Sequence, residues 1–95
     1  MRYEWDQAKD VLNQRKHRLR LSQGIPALED PERETWIDDR FDYEEERIIT
    51  VGRNKQLLLV VVSVISLENE DEIIRIISVR KATRKEAKWF RSDRA

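Results

Sequence analysis

Residues 73–86 of the chain read IIRIISVRKATRKE, and this stretch decides the fold. Isoleucine and valine dominate its first half, which is typical of a buried strand. Thr83 and Glu86 then have the spacing of a capping box, which predicts the start of a helix. A cation on a core strand is costly unless it meets an anion. Arg75 and Arg80 are therefore the first candidates for function.

The rest of the pattern predicts an α+β protein with two N-terminal helices, an antiparallel sheet of three to four strands and a C-terminal helix. Asp6 is a suitable N-cap for the first helix, and we expect Trp5, Ala8, Val11 and Leu12 to face the core. The predicted helices cover residues 7–18, 22–28 and 84–92, and the predicted strands cover residues 35–38, 47–51, 57–66 and 73–80. The central strand is the aliphatic run 57–66, covered on both sides.

Strict alternation along the last strand separates its two arginines, because successive side chains of a strand point to opposite faces. Arg75 lies deep in the strand, and we expect it to pair with an acidic side chain. Arg80 stands at the strand end beside Lys81 and is the better candidate for binding phosphate.

Length and composition exclude several classes of protein. Ninety-five residues predict one domain over residues 1–95. The chain has no cysteine, which excludes disulfides and thiolate metal sites, and it has one histidine, so we expect no metal and no cofactor. The longest apolar run, Leu57–Ile65, is too short to cross a bilayer, and the N-terminus lacks the apolar segment of a signal peptide. We expect a soluble, cytoplasmic protein that does not bind membranes.

Charge is balanced in total but unevenly distributed. The chain has nineteen basic and nineteen acidic residues, yet residues 28–46 hold ten acidic and two basic ones, and both ends are basic. If the ends meet in the fold, one face attracts a polyanion. The alternative is a set of solvated faces that only keep the chain soluble. On the first interpretation, the acidic segment Glu29–Glu46 should lie away from the basic surface.

His17 is the only histidine, and it shares a predicted helix face with Lys9, Asn13 and Lys16. A neighbouring cation keeps an imidazole neutral near physiological pH, which suits a role in proton transfer. The alternative is that a lone histidine packs at the edge of the domain or caps a carbonyl group.

Several short motifs, in order and at compatible spacing from Tyr3 to Phe90, carry a resemblance to a known family. They are Trp5-Asp6, Lys9, Asn13, Lys16-His17, Glu46-Arg47, Gly52 and the run Arg75–Thr83 with Glu86. This succession resembles the BrnT family, the toxin half of a bacterial type II toxin–antitoxin pair. The resemblance implies a RelE-like fold, metal-independent cleavage of RNA that inhibits translation, and a cognate antitoxin. That antitoxin, BrnA, neutralises the toxin and binds DNA, so contact with DNA is expected only through the complex.

RNA cleavage of this kind needs a base for the ribose 2′-hydroxyl, an acid for the departing 5′-oxygen and cations for the charge on the phosphorane. The candidate catalytic residues are Lys16, His17, Arg47, Arg75 and Arg80. The candidate substrate-binding residues are Lys9, Asn13, Lys81 and Phe90. Lys16 or His17 can transfer protons, and the arginines can hold the phosphate with their planar forks.

Two positions depart from the family pattern. Arg18 follows the Lys-His pair where relatives commonly have glycine, and Phe90 stands where a tyrosine is often found. Phenylalanine can stack on a base but cannot donate a proton. The alternative function is therefore a non-catalytic module that binds RNA or the antitoxin. Trp36 and Trp89 are candidates for contact with a partner protein.

Overall fold

The computed structural model describes residues 1–39 and 44–92. In chain order the elements are β1 (Arg2–Glu4), α1 (Gln7–His17), a 3₁₀ turn (Leu21–Gly24), α2 (Ile25–Leu28), β2 (Glu34–Ile37), β3 (Ile48–Asn54), β4 (Leu57–Glu68), β5 (Asp71–Lys81) and α3 (Arg84–Ser92). The predicted α+β class is confirmed. The sequence also predicts an acidic loop between the strands 35–38 and 47–51, over residues 40–46, and this loop lies partly outside the described residues. Within the described ranges, no helix has the length and apolar character needed to cross a membrane.

The five described strands form one mixed sheet in the order β1-β5-β4-β3-β2. β1 runs parallel to β5, and the other neighbours are antiparallel. The prediction of a purely antiparallel sheet was wrong because β1 has only three residues, too few to show a period. Gly52 lies within β3, which continues beyond the predicted strand end at Val51. A Cβ atom there would lie 2.3 Å from the carbonyl oxygen of Ala27, so glycine is what allows α2 to approach the sheet.

Apolar residues cover both faces of this sheet. On one face α1, the 3₁₀ turn and α2 pack over a cluster of Leu19, Leu21, Ala27, Leu59, Val61, Ile76 and Val79. On the opposite face α3 inserts Phe90 among Ile49, Val51 and Val60. We call these the helix-covered face and the α3 face. The predicted central position of β4 is confirmed, although its far end is open to solvent, with Leu67 74% exposed.

A bulge in β5 determines which side chains share the α3 face. The pairing of β4 with β5 skips Ile77, which is an extra residue in β5. As a result, β5 residues Arg75, Ser78 and Arg80 pair with every second residue of β4, namely Val64, Val62 and Val60. Paired side chains of antiparallel strands lie on the same side of the sheet. Arg75 and Arg80 therefore share the α3 face, and the prediction that they face opposite ways was wrong.

Helix α1 starts and stops through local backbone chemistry. Asp6 caps it as predicted, because its Oδ1 accepts hydrogen bonds from the backbone N–H groups of Ala8 at 2.8 Å and Lys9 at 3.2 Å. The helix ends at His17, one residue earlier than predicted, and Arg18 adopts a left-handed conformation with φ 59°. The chain turns here without the glycine that this conformation favours.

The face of α1 that meets the sheet is polar, so the predicted apolar core face was wrong for Ala8, Val11 and Leu12, which are exposed. Trp5, just before the helix, packs against the core cluster as predicted. Val11 and Leu12 are 45% and 60% exposed, whereas Asn13 is buried. Asp10 Oδ1 accepts a hydrogen bond of 2.8 Å from the backbone N–H of Leu21, which ties the helix to the 3₁₀ turn. Side-chain bonds to backbone groups therefore fix the rotation of α1, and apolar periodicity does not detect such bonds.

Candidate active site

A cleft of about 500 Å³ opens on the α3 face of the sheet. Among the described residues it is lined by Lys16, His17, Trp36, Ile37, Asp38, Asp39, Ile49, Val60, Val62, Ser78, Arg80 and Glu86. These come from the end of α1, the end of β2, the middle of the sheet and the first turn of α3. The cleft therefore brings together side chains from both basic parts of the chain, which is the condition under which the charge distribution predicts a surface for a polyanion.

Arg80 and Glu86 form the best-defined contact in the cleft. The two guanidinium NH groups of Arg80 donate to the two carboxylate oxygens of Glu86 at 2.8 and 2.9 Å. Glu86 also completes the predicted capping box, because its Oε1 accepts the backbone N–H of Thr83 at 2.8 Å and its own N–H donates to Thr83 Oγ1 at 3.1 Å. One carboxylate thus starts α3 and orients the arginine.

This contact also sets the charge of Glu86. The hydrogen bonds from Arg80, opposed by partial burial and helped by Thr83, lower the pKa of Glu86 from 4.5 to about 2. A carboxyl group whose pKa is lowered by folding contributes to the free energy of unfolding above pH 4.5, and this contribution is lost as the pH falls towards 2. At neutral pH the pair is therefore fully ionised.

His17 lies close enough to Arg80 for the two side chains to interact electrostatically. Burial, followed by the charges of Lys16 and Arg80, lowers the pKa of His17 below its ordinary 6.5. All three effects disfavour the imidazolium form. His17 is therefore neutral at physiological pH and able to accept a proton, with two cations beside it.

Two further carboxylates share the cleft with Glu86 and these basic groups. Asp38 and Asp39 line it at the end of β2, so the expectation that the acidic segment lies away from the basic site was wrong for them. Asp38 is buried, and its backbone N–H donates to the carbonyl oxygen of Arg47 at 2.8 Å, which extends the pairing of β2 with β3. An incoming phosphate meets cations and carboxylates together, which restricts where it can lie.

Three of the predicted site cations are not among the described residues that line the cleft, namely Arg75, Arg47 and Lys9. Arg75 forms an ion pair with Glu45, as expected for its position within the strand. It also lines a second, smaller cavity of about 260 Å³ together with Lys9. Arg47 is half-buried just before β3.

The remaining predicted site residues occupy different environments. Asn13 is buried, with its amide bonded to backbone groups of Leu19 and Val79. Phe90 is completely buried, and its ring lies beneath the guanidinium group of Arg53 at 5.7 Å. Neither side chain is placed to touch a ligand from solvent. Lys81 is exposed but pairs with Leu59, which puts it on the helix-covered face, opposite Arg80.

Sequence reasoning missed Ser78, Asp38 and Asp39 as residues of the cleft. A signal for Ser78 was present, because a polar side chain two residues before Arg80 shares its strand face. The two aspartates had no comparable signal, since their place depends on how β2 pairs with β3.

The family model for the ribonuclease toxin BrnT of type II toxin–antitoxin systems matches residues 5–86. The matched segment includes the whole cleft, from α1 to the first turn of α3. The chain belongs to the BrnT family. The predicted resemblance is thereby confirmed. Comparison with curated proteins gives no match.

Membership of the BrnT family sets the broad function. The family consists of ribonuclease toxins, so its substrate is RNA, and a type II toxin has a cognate antitoxin as its partner. Within this BrnT chain, the cleft that joins Lys16, His17 and Arg80 combines a neutral imidazole with cations. These are the groups that RNA cleavage requires.

Proposed function

We propose that this chain is an endoribonuclease that cleaves RNA without a metal ion and inhibits translation. Residues 1–95 act as one toxin domain in the cytoplasm, where a BrnA-like antitoxin neutralises it and carries the complex to DNA. The observation that supports the proposal most is the convergence of Lys16, His17 and Arg80 in one cleft, from segments more than sixty residues apart in sequence.

In the proposed reaction, the ribose 2′-oxygen attacks the adjacent phosphorus and the bond from phosphorus to the 5′-oxygen breaks. Neutral His17 accepts the proton of the 2′-hydroxyl, and Lys16 supplies a proton to the departing 5′-oxygen. Arg80 stabilises the extra negative charge on the phosphorane. The products are a 2′,3′-cyclic phosphate and a 5′-hydroxyl end.

We propose that the other predicted site cations hold the RNA on either side of the reacting phosphate. Arg75 shares the α3 face with Arg80 because of the bulge. An RNA strand that leaves the cleft along β5 therefore passes Arg75. Arg47 and Lys9 extend this set, and Lys81 contacts RNA only where the strand bends around the sheet edge. Asn13 and Phe90 support the site from within the fold.

The proposal is tested by incubating the purified protein with RNA in the presence of EDTA. We expect cleavage that leaves a 2′,3′-cyclic phosphate, and no cleavage of a matched RNA with a 2′-O-methyl group at the cleaved nucleotide. Loss of activity in EDTA would contradict metal independence. RNA binding without turnover would favour the non-catalytic module, for which Phe90 in place of the family's tyrosine is the main support.

The rate of cleavage should depend on the protonation of His17. Because its pKa is lowered from 6.5, kcat/KM should rise with pH and level off with a midpoint below pH 6.5. Above that midpoint the imidazole is neutral and can take the proton. The pH profile of His17→Gln should lack this rise, and an unchanged profile would remove His17 from the role of base.

A further inference from the structure

Trp36 and Trp89 form an exposed aromatic pair beside the cleft. Trp36 belongs to β2 and is 42% exposed, and Trp89 belongs to α3 and is 47% exposed. Their ring centroids are 5.7 Å apart and their planes are inclined at 80°, the edge-to-face arrangement. Two half-exposed indoles held together on two different elements form a preorganised apolar surface.

The pair opens into a pocket of its own. This pocket has a volume of about 320 Å³ and is lined by Trp36, Val51, Lys85, Glu86 and Trp89. Its size falls at the lower end of the range for small-molecule sites. The two indoles and the valine supply apolar walls, and Lys85 supplies a cation at the start of α3. Glu86 adds a carboxylate beside this cation, so the two charges balance and the apolar walls suit a flat aromatic group.

The pocket and the cleft share two of their lining residues. Trp36 and Glu86 belong to both, so one indole and one carboxylate stand between the place where Arg80 would hold a phosphate and the aromatic pocket. A ligand long enough to leave the cleft on this side therefore passes the tryptophans directly. Every nucleobase has a π-face, and aromatic side chains bind successive bases by stacking.

We propose that Trp36 and Trp89 form a subsite for one nucleobase next to the phosphate that is cleaved. The base stacks on one indole and meets the other at its edge, as the 80° inclination of the rings requires. The subsite rests on the ribonuclease function proposed above. It fits RNA better than a protein partner because it shares Trp36 and Glu86 with the cleft where the phosphate would lie, and Lys85 can meet the RNA backbone.

The test compares short RNA substrates that carry either a normal nucleotide or an abasic ribose on each side of the mapped cleavage site. For the wild type, we expect the abasic residue on one side to lower kcat/KM by about tenfold, mainly through KM. Trp89→Ala should show the same loss on normal RNA and no further loss on the abasic substrate. Trp89→Phe, which keeps an aromatic face, should retain most of the activity.

Leu67→Ala serves as the matched control, because it also truncates an exposed apolar side chain, at the far end of β4. It should leave kcat/KM unchanged. If the wild type cleaves no RNA, the proposed function fails. If the wild type cleaves abasic and normal substrates equally, or folded Trp89→Ala is fully active, the subsite alone is overturned. The subsite is also overturned if Trp89→Ala loses the antitoxin while cleaving RNA normally, since the pocket is then a protein interface.

Discussion

Arg80→Ala is expected to lower the rate of RNA cleavage by about 10²–10³-fold while the protein stays folded. Arg80 lies in the cleft with Lys16 and His17, and its fork is fixed in plane by both oxygens of Glu86. A preoriented cation stabilises the phosphorane without reorganising during the reaction. The loss should therefore appear in kcat, measured with a labelled oligonucleotide at saturating substrate.

The stability of Arg80→Ala should change little. Arg80 and Glu86 are each about one third exposed, at 37% and 33% of their side-chain surface, so solvent screens their attraction. Such a pair contributes about 0–1 kcal/mol to the free energy of unfolding. Glu86 also keeps its bond to the backbone N–H of Thr83 in the variant, which preserves the start of α3.

Arg2→Ala provides a matched control, because Arg2 also pairs with a glutamate, Glu68, at 3.4 Å. That pair lies at the outer edge of the sheet, where β1 joins β5, and neither residue lines the cleft. Arg2→Ala should cleave RNA at the wild-type rate. A folded Arg80→Ala variant that matches Arg2→Ala in kcat would remove the arginine from catalysis and weaken the nuclease assignment.

Arg80→Lys separates charge from geometry. Lysine keeps the positive charge but cannot meet two oxygens with a planar fork. If the guanidinium binds phosphate in a bidentate way, this variant should recover only part of the rate. Full recovery would mean that Arg80 acts as a point charge.

Local patterns identified most of the elements around this arginine. The capping box of Thr83 and Glu86, the N-cap Asp6 and the aliphatic run of β4 each depend on residues that are close in sequence. Their chemistry is complete within one turn of helix or one strand. The sequence was therefore sufficient to place them.

The relation between Arg75 and Arg80 was not predictable in the same way. Isoleucine occupies both sides of the strand before the bulge, so the pattern of apolar residues does not reveal that Ile77 is an extra residue. A single inserted residue exchanges the faces of everything that follows it. Only the pairing with β4 shows that the two arginines share a face.

The presence of Asp38 and Asp39 in the cleft could not be predicted from the sequence for a related reason. Charge patterning assigned them to an acidic segment that should avoid the site, but they follow directly after β2. Once β2 pairs with β3, its end lies against the same sheet face as Arg80. Tertiary pairing, rather than local charge, decides the composition of the cleft.

Asn13→Ala is expected to lower the free energy of unfolding by about 3 kcal/mol. The buried amide donates to the carbonyl oxygens of Leu19 at 2.8 Å and Val79 at 2.9 Å, and accepts the backbone N–H of Val79 at 3.1 Å. Removing it leaves these backbone groups without this partner in the interior. For a domain of this length, the loss corresponds to a melting temperature roughly 10–20 °C lower, measurable by circular dichroism.

This bond connects stability to the active site. β1 pairs only with residues 73–75 near the start of β5, so it does not reach Val79. At Val79 the outer edge of β5 is bonded by the amide of Asn13 instead. Asn13 thus takes the place of a neighbouring strand residue. His17 lies one helical turn further along α1, and Arg80 directly follows Val79, so the same contact holds the imidazole beside the guanidinium.

Gln14→Ala is the matched control, since it removes an amide from the next position of α1. The Gln14 side chain makes one weak intrahelical contact, to Asp10 at 3.4 Å, and its loss should cost less than about 0.5 kcal/mol. If Asn13 instead bound RNA directly, Asn13→Ala would be as stable as Gln14→Ala and would show only a raised KM. The structural role predicts that Asn13→Ala is less stable than Gln14→Ala. It also predicts a fall in kcat, because Lys16 and His17 lose their fixed position relative to Arg80.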